Sequence, residues 1–149
     1  MLFRSRVSNE IVHEMDLFTT LAAMTGGKVP TDRAIDGVDQ SEFFLGKQEK
    51  SRRDGFVVYV GNEVYGVKWQ NWKMMFKELA TGTGQVEQWS IPRFFNLHLD
   101  PKEEHSLGYA AEYAWVRFPA GKILTDHQAS LTKYPPVPPG APDPYTPPK

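Results

Sequence analysis

The chain has 149 residues, of which 40% are hydrophobic and 13% aromatic, enough for one domain with a real core and too apolar for wholesale disorder. Its 17 basic and 18 acidic residues leave a net charge of −1, so nothing global favours nucleic acid or an acidic membrane as the main partner. The absence of cysteine excludes disulfides, thiolate metal sites and a cysteine nucleophile, and no apolar run reaches the ~18 residues of a membrane span.

The opening MLFRSR is basic but has no apolar stretch behind it, so it does not read as a secretory signal. Residues 8–25 form the best helical pattern. Ser8 can cap it, Glu10 suits the first turn, and Ile11, Met15, Phe18 and Ala22 fall on one face, widened by Val12 and Leu21. Gly26-Gly27 ends it. GKVPTDRAIDGVD reads as an exposed connection broken by Pro30 and Gly37. Asp39, with Glu42 three residues later, resembles a capping pair for one or two helical turns over SEFFLG.

A β region follows. Residues 56–60 (FVVYV), 63–69 and 72–79 are separated by Gly61-Asn62 and Gln70-Asn71, which predicts a three-stranded antiparallel meander. TGTG at 81–84 is a flexible break, and residues 94–99 would add a fourth strand. Across 110–118, AAEY favours helix and WVRF favours strand; the reading leans to helix. Residues 122–132 predict another short helix. The end of the chain holds eight prolines in 17 residues and predicts extended, polyproline-like chain. The fold class expected is α+β, a small antiparallel sheet of about four strands with packed helices.

The residues alone supply no catalytic constellation. His13, His98, His105 and His127 have no metal-binding helical spacing; His13-Glu14 starts like a zinc-protease motif, but Leu17 stands where its second His belongs. Asp32, Asp36, Asp39 and Glu42 lack the spacing of a calcium loop. Asp100, Glu103 and Glu104 read as a turn followed by a solvated helix start. In VKWQNWKMMFK the basic residues Lys68, Lys73 and Lys77 alternate with Trp69, Trp72 and Phe76, a composition that can bind single strands or lipid. An amphipathic hairpin, with aromatics packed on one face and lysine stems along the edges, accounts for it better. There is no phosphate loop and no serine in a nucleophile elbow.

Four segments, in order, carry a family resemblance. FFNLHLDPKEEHSLGY, preceded by Pro92-Arg93, is similar to the sulfatase pattern P-x-L-[YF]-[DN]-L-x-x-D-P-x-E-x-x-N-L, with Phe94 for Leu and Ser106 for Asn. VSNEIVHEMDLFTTLAAMTG resembles V-S-x-x-x-x-x-x-D-[LI]-F-P-T-L-A, with Thr19 for Pro. PTDRAIDGVDQSEFFLG resembles P-x-D-R-x-x-D-G-x-D, and GVKWQNWKMMFKE looks like the R-x-G-x-W-K hairpin of arylsulfatases. The tail SLTKYPPVPPGAPDPYTPPK also looks like the end of bacterial arylsulfatases. The resemblance covers about residues 7–149 and is to the C-terminal region of the family.

The resemblance implies a division of the chain. Residues 1–6 would be a truncation or cloning scar, and 7–50 a helix and connection from the edge of an absent alkaline-phosphatase-like α/β domain. Residues 51–132 would form the C-terminal α+β subdomain, and 133–149 the proline-rich tail. Sulfatases hydrolyse sulfate esters with a formylglycine made in a C/S-x-P-S/A-R motif and with a divalent cation, expected to be calcium. Both belong upstream of the matched region. The near miss Ser90-Ile91-Pro92-Arg93 has its Arg one residue early, so no catalytic or metal residue is carried over.

The expected partner is therefore the missing N-terminal sulfatase catalytic domain. The apolar face of Ile11, Met15 and Phe18 should be poorly covered in the isolated chain and open to self-association, and neither nucleic acid nor membrane is expected as a partner. Residues that could border the substrate cleft are Lys68, Trp69 and Trp72, against the alternative that the tryptophans pack in the core. A non-catalytic interaction module with the same subdomain fold is the second reading.

Overall fold

The computed structural model describes residues 7–80, 84–107, 111–136, 138 and 140–142. In chain order the elements are α1 (Asp16–Thr25), α2 (Ser41–Phe44), β1 (Gly55–Val60), β2 (Glu63–Trp69), β3 (Trp72–Leu79), β4 (Val86–Asn96), a 3-10 segment (Ala111–Val116) and α3 (Arg117–Lys133). The four strands form one antiparallel sheet in the order β1-β2-β3-β4. This is the expected α+β architecture.

The β region reads as expected through β3. β-branched and aromatic runs alternate across the pleat, and the short turns at Gly61 and at Gln70-Asn71 reverse the chain. Two registers place the functional side chains. Val57, Val67, Met74 and Phe94 align across the sheet on the face that α3 covers. There Val67, Trp72, Met74 and Phe94 join Val116 and Ala120 in the buried core. Phe56, Lys68, Lys73 and Phe95 align in the adjacent row and project from the opposite face.

The fourth strand differs from expectation. It covers Val86–Asn96 rather than residues 94–99. Residues 97–99 instead turn, with the N–H groups of Leu99 and Asp100 donating to the Asn96 carbonyl. Pro92 is accommodated because β4 lies at the sheet edge and its pairing with β3 is interrupted between Gln88 and Arg93, so no ladder bond needs its N–H. Residues 122–132 are likewise part of a longer helix, α3, which begins at Arg117. Pro119 falls in its first turn, where no intrahelical donor is needed. Thus the WVRF run is 3-10 and α-helical, and its Val116 is wholly buried.

The first helix starts eight residues later than the periodicity suggests, so Ser8 is not its cap. The Ser8 hydroxyl accepts from the Glu10 N–H in an exposed local turn. Residues 10 and 11 are held by a distant segment: the Ser51 N–H donates to the Glu10 carboxylate at 2.8 Å, and the Ser51 hydroxyl donates to the Ile11 carbonyl. These long-range bonds override local helix propensity. The helix then opens at Asp16, whose carboxylate accepts the N–H of His13 at 2.9 Å. It closes on Gly26 in the left-handed region (φ 74°), with the Gly27 N–H donating to the Ala22 carbonyl.

α1 is also turned around relative to its sequence pattern. The buried positions are Asp16 and Thr20, at 0% and 1% exposure, while Phe18 and Leu21 are 54% and 58% exposed. Thr20 accepts the N–H of Gln40, and Thr19 donates to the Gly37 carbonyl, so the polar face grips residues 37–40. Gly37 lies against the Met15 carbonyl and the Thr19 hydroxyl, where a side chain has no room. Of the face expected to be bare, Met15 and Phe18 are exposed, but Ile11 is outside the helix and buried.

α2 is a single turn. The expected capping pair does not form: the residue at the cap is Gln40, with no side-chain cap bond, while Asp39 accepts the Ser41 N–H at 2.8 Å in a local turn and Glu42 pairs with Arg52 at 2.6 Å. The expected break at 81–83 and most of the tail (137, 139 and 143–149) lie outside the described residues, as do 1–6 and 108–110. The described tail residues after Tyr134 carry no helix or strand.

Candidate functional site: the hairpin turn and its cavity

β2 and β3 meet at a two-residue turn, and Trp69 pairs directly with Trp72 across it. Gln70 adopts φ 46°, a left-handed conformation uncommon for a residue with a side chain, and its N–H donates to the Asp54 carbonyl at 2.8 Å. Asn71 ties the turn to the end of β4: its amide donates to Asn96 Oδ1, and its carbonyl accepts the Leu97 N–H.

The three expected site residues do not converge. Trp69 and Trp72 lie on the face of α3. Trp115 meets both rings edge-on at 5.8 Å, and Tyr113 lies 5.5 Å from Trp72. Trp72 is 8% exposed and part of the core, which is the alternative weighed from sequence. Lys68 is on the other face, opposite Lys73. Strand alternation separates it from Trp69. Lys73 is neutralised by Glu103 at 2.7 Å. The Lys68 ammonium instead donates to the Gln70 carbonyl at 2.7 Å. Burial lowers the Lys68 pKa from its usual value, and repulsion from Lys73 adds to this, partly opposed by Glu103.

Beside Lys68 is a cavity of about 270 Å³ bounded by Asn9, Gln70, Asn71 and His98. A second, of about 290 Å³, shares Asn9, Gln70 and Asn71 with it and runs towards Glu10, Ser51 and Arg53. The sequence reading missed Asn71, His98 and Asn9 as cavity residues. Gln70-Asn71 announced only a turn, and His98 reaches the cavity because β4 returns beside β3.

The remaining chemical candidates stay apart. His13 packs edge-on against Phe56, and His127 bonds to the Tyr59 hydroxyl at 2.6 Å. Asp39 and Glu42 face Arg52, while Asp32 pairs with Arg33. Asp100 accepts the N–H of His105, which helps hold its carboxyl below the usual range. Ser90–Arg93 lies within β4, with the Arg93 guanidinium stacked 3.8 Å from the Trp89 ring.

No protein-family model matches the chain. It is 30% identical over 146 residues to N-acetylgalactosamine-6-sulfatase of the dog, Canis lupus familiaris, a match covering 85% of this chain and 28% of that protein. To human arylsulfatase D it is 25% identical over 154 residues, 87% of this chain and 26% of the relative. Among solved structures, the PsFucS1 sulfatase from Pseudoalteromonas sp. superposes with a TM-score of 0.73 at 28% identity, over 83% of this chain and 26% of that one. The four-stranded sheet with its packed helix is thus a subdomain of the sulfatase type. The chain belongs to the sulfatase family and spans little more than a quarter of the length of the curated relatives it matches.

Sulfatases generally act through a formylglycine and a divalent cation. The residues present fit neither. There is no cysteine, and Ser90 sits in an edge strand without the required motif. Among the described residues no group of three or more His, Asp or Glu is placed to hold a metal ion.

Proposed function

We propose that this chain is the C-terminal subdomain region of an arylsulfatase-like sulfuric ester hydrolase and is inactive by itself. Turnover requires a catalytic domain that carries the formylglycine and a calcium ion. A sulfate monoester needs its charge neutralised and its nucleophile held in line, and among the described residues there is neither a metal cage nor an activated nucleophile. In this reading Lys68 borders the substrate cleft, while Trp69 and Trp72 hold the hairpin against Trp115.

The observation that carries the reading is α1. It spends its polar face on the chain's own backbone and leaves Met15, Phe18, Leu21 and Met24 uncovered. A ten-residue helix in this orientation suits burial under another domain. The relatives, of which this chain spans about a quarter, have the length to supply one.

Three measurements test it. With 4-nitrophenyl sulfate and calcium, the chain alone is expected to show no turnover above buffer. A Pseudoalteromonas sulfatase whose matched quarter is replaced by residues 7–149 is expected to be soluble and active. Phe18→Ser with Leu21→Ser should abolish self-association of the isolated chain in sedimentation, with little effect on its unfolding midpoint, because both side chains are exposed. A chain that is monomeric without these changes, and a chimera that is folded but inactive, would sink the reading.

A further inference from the structure

We propose that Lys68 is a reactive amine and a site of covalent modification: in the cavity between the Gln70-Asn71 turn and the turn after β4 it condenses with a small hydroxyaldehyde to form an imine. This chemistry goes beyond the sulfatase reading and does not depend on it.

A lysine attacks a carbonyl only after losing its proton, so it reacts near neutral pH where its surroundings disfavour the charge: partial burial, or a second cation close by. Lys68 has both. It stands directly opposite Lys73 across β2 and β3, so two like charges share one face of the sheet. The carboxylate that could balance them, Glu103, is clasped by Lys73 through both oxygens, at 2.8 and 2.7 Å. Among the described residues the Lys68 ammonium bonds only to the Gln70 carbonyl. Burial holds the Lys68 pKa below the usual lysine value, and Lys73 adds to this against the opposing pull of Glu103. Lys77 and Lys122, by contrast, each hold a carboxylate of their own, Glu63 and Asp126.

The cavity supplies the room. At about 270 Å³ it falls just below the usual range for drug-sized ligands and suits a molecule of a few heavy atoms. Its lining contains no carboxylate to hold the ammonium form, whereas the neighbouring cavity includes Glu10 and Asp54. The amides of Asn9, Gln70 and Asn71 line it and suit a hydroxyl beside the carbonyl. Asn71 is fixed by its bond to Asn96 Oδ1 and retains a second amide N–H for that hydroxyl. The step is a condensation. The Lys68 nitrogen lone pair forms the N–C bond while the C=O π pair moves to oxygen. The nitrogen gives up its two protons, the oxygen takes up two through solvent and leaves as water, and a C=N bond remains. Nothing is oxidised or reduced.

The test is labelling of the whole chain with glycolaldehyde, with sodium cyanoborohydride to reduce the imine to a stable secondary amine, read lysine by lysine by peptide mass spectrometry. At pH 7 Lys68 is expected to label about threefold or more faster than the exposed Lys47 and Lys50, an advantage that shrinks as pH approaches the ordinary lysine pKa of about 10.4. Two neighbours should move its rate in opposite directions, each by about two- to fivefold, the reach of one charge on another near a surface. Glu103→Gln removes the carboxylate that favours the ammonium and should speed labelling. Lys73→Met removes the like charge, frees Glu103 for Lys68 and should slow it. Where one variant fails to fold, the other reads the same field with the opposite sign. Labelling of Lys68 no faster than that of Lys47 and Lys50, or a rate that neither variant moves, overturns the reactive amine. Propanal has no hydroxyl and should favour Lys68 less; an equal preference with propanal overturns the choice of a hydroxyaldehyde.

Discussion

Replacing Arg53 with alanine is expected to destabilise the chain by about 3–5 kcal/mol, the usual loss when one partner of a buried ion pair is removed. Asp16 has no exposed surface, and Arg53 is its counter-charge: the guanidinium Nε donates to the two carboxylate oxygens at 2.8 and 3.0 Å. Its Nη2 also donates to the Asp36 carbonyl at 2.7 Å. The same carboxylate accepts the backbone N–H groups of His13 and Val38. One buried charge therefore joins the start of α1, the 36–38 connection and the approach to β1. Without Arg53 that charge is left uncompensated, and the loss is a large share of the ~5–15 kcal/mol a domain has in total. Urea unfolding measures it. Arg53→Lys should fall between, because a point charge replaces a two-pronged donor. A loss under about 1 kcal/mol for Arg53→Ala, the size of an exposed pair, would show that water reaches the carboxylate.

The same carboxylate sets an acid limit. Burial pushes the Asp16 carboxyl up, but the Arg53 bonds together with the N–H groups of Val38 and His13 outweigh it, and the folded pKa lies below the usual value. A depressed folded pKa means that Asp16 contributes its full stability above the unfolded value of about 3.9 and loses it as pH falls through the folded one. In Arg53→Ala the burial effect gains ground, so the acid-unfolding midpoint should move to higher pH.

What could be read from the sequence follows from the range of the forces involved. β1, β2 and β3 were legible because alternation and two short turns are local. The start of α1 was not, since it depends on Asp16 finding Arg53, 37 residues on, and on Ser51 holding Glu10 and Ile11 out of the helix. Of the apolar stripe marked by periodicity only Phe18, Leu21 and Ala22 lie in α1, and it was the family resemblance, not periodicity, that led to the expectation of an uncovered face, met by Met15 and Phe18 but not by Ile11. The orientation of α1 is set by Thr19 and Thr20 bonding to residues 37–40. At the hairpin, the basic-aromatic composition singled out Lys68, Trp69 and Trp72. Strand alternation alone already separates Lys68 from Trp69. The partners of Lys68 in its cavity were beyond reach, because Asn71 and His98 meet only through Asn96 on the returning strand.

Trp72→Ala is expected to cost about 3–5 kcal/mol, the range for emptying an aromatic core position. Trp72 is nearly buried, sits in the cluster with Val67, Met74, Phe94, Val116 and Ala120, and carries Tyr113 and Trp115 on its ring. Its removal leaves the turn end of β3 without a filler and frees Trp115, which also leans on Trp69. Trp72→Phe should lose less, since a ring remains to meet Tyr113. A double-mutant cycle between Trp72 and Trp115 should give a coupling of about 0.5–1.5 kcal/mol. The contrast with Lys68 decides the role of each residue. A residue in the core moves the urea midpoint, and any loss of the Lys68 labelling preference follows from unfolding. A residue of the cavity changes the labelling while the midpoint stays. If Trp72→Ala kept the midpoint and lost the labelling preference, the ring would belong to the cavity, and the face under α3 would have to open for ligand. The packing of Val116 and Ala120 against it gives no such opening. The stability measurement on Trp72 and the labelling measurement on Lys68 therefore assign the two faces of one hairpin separately: one to holding the turn in place, the other to what the turn presents.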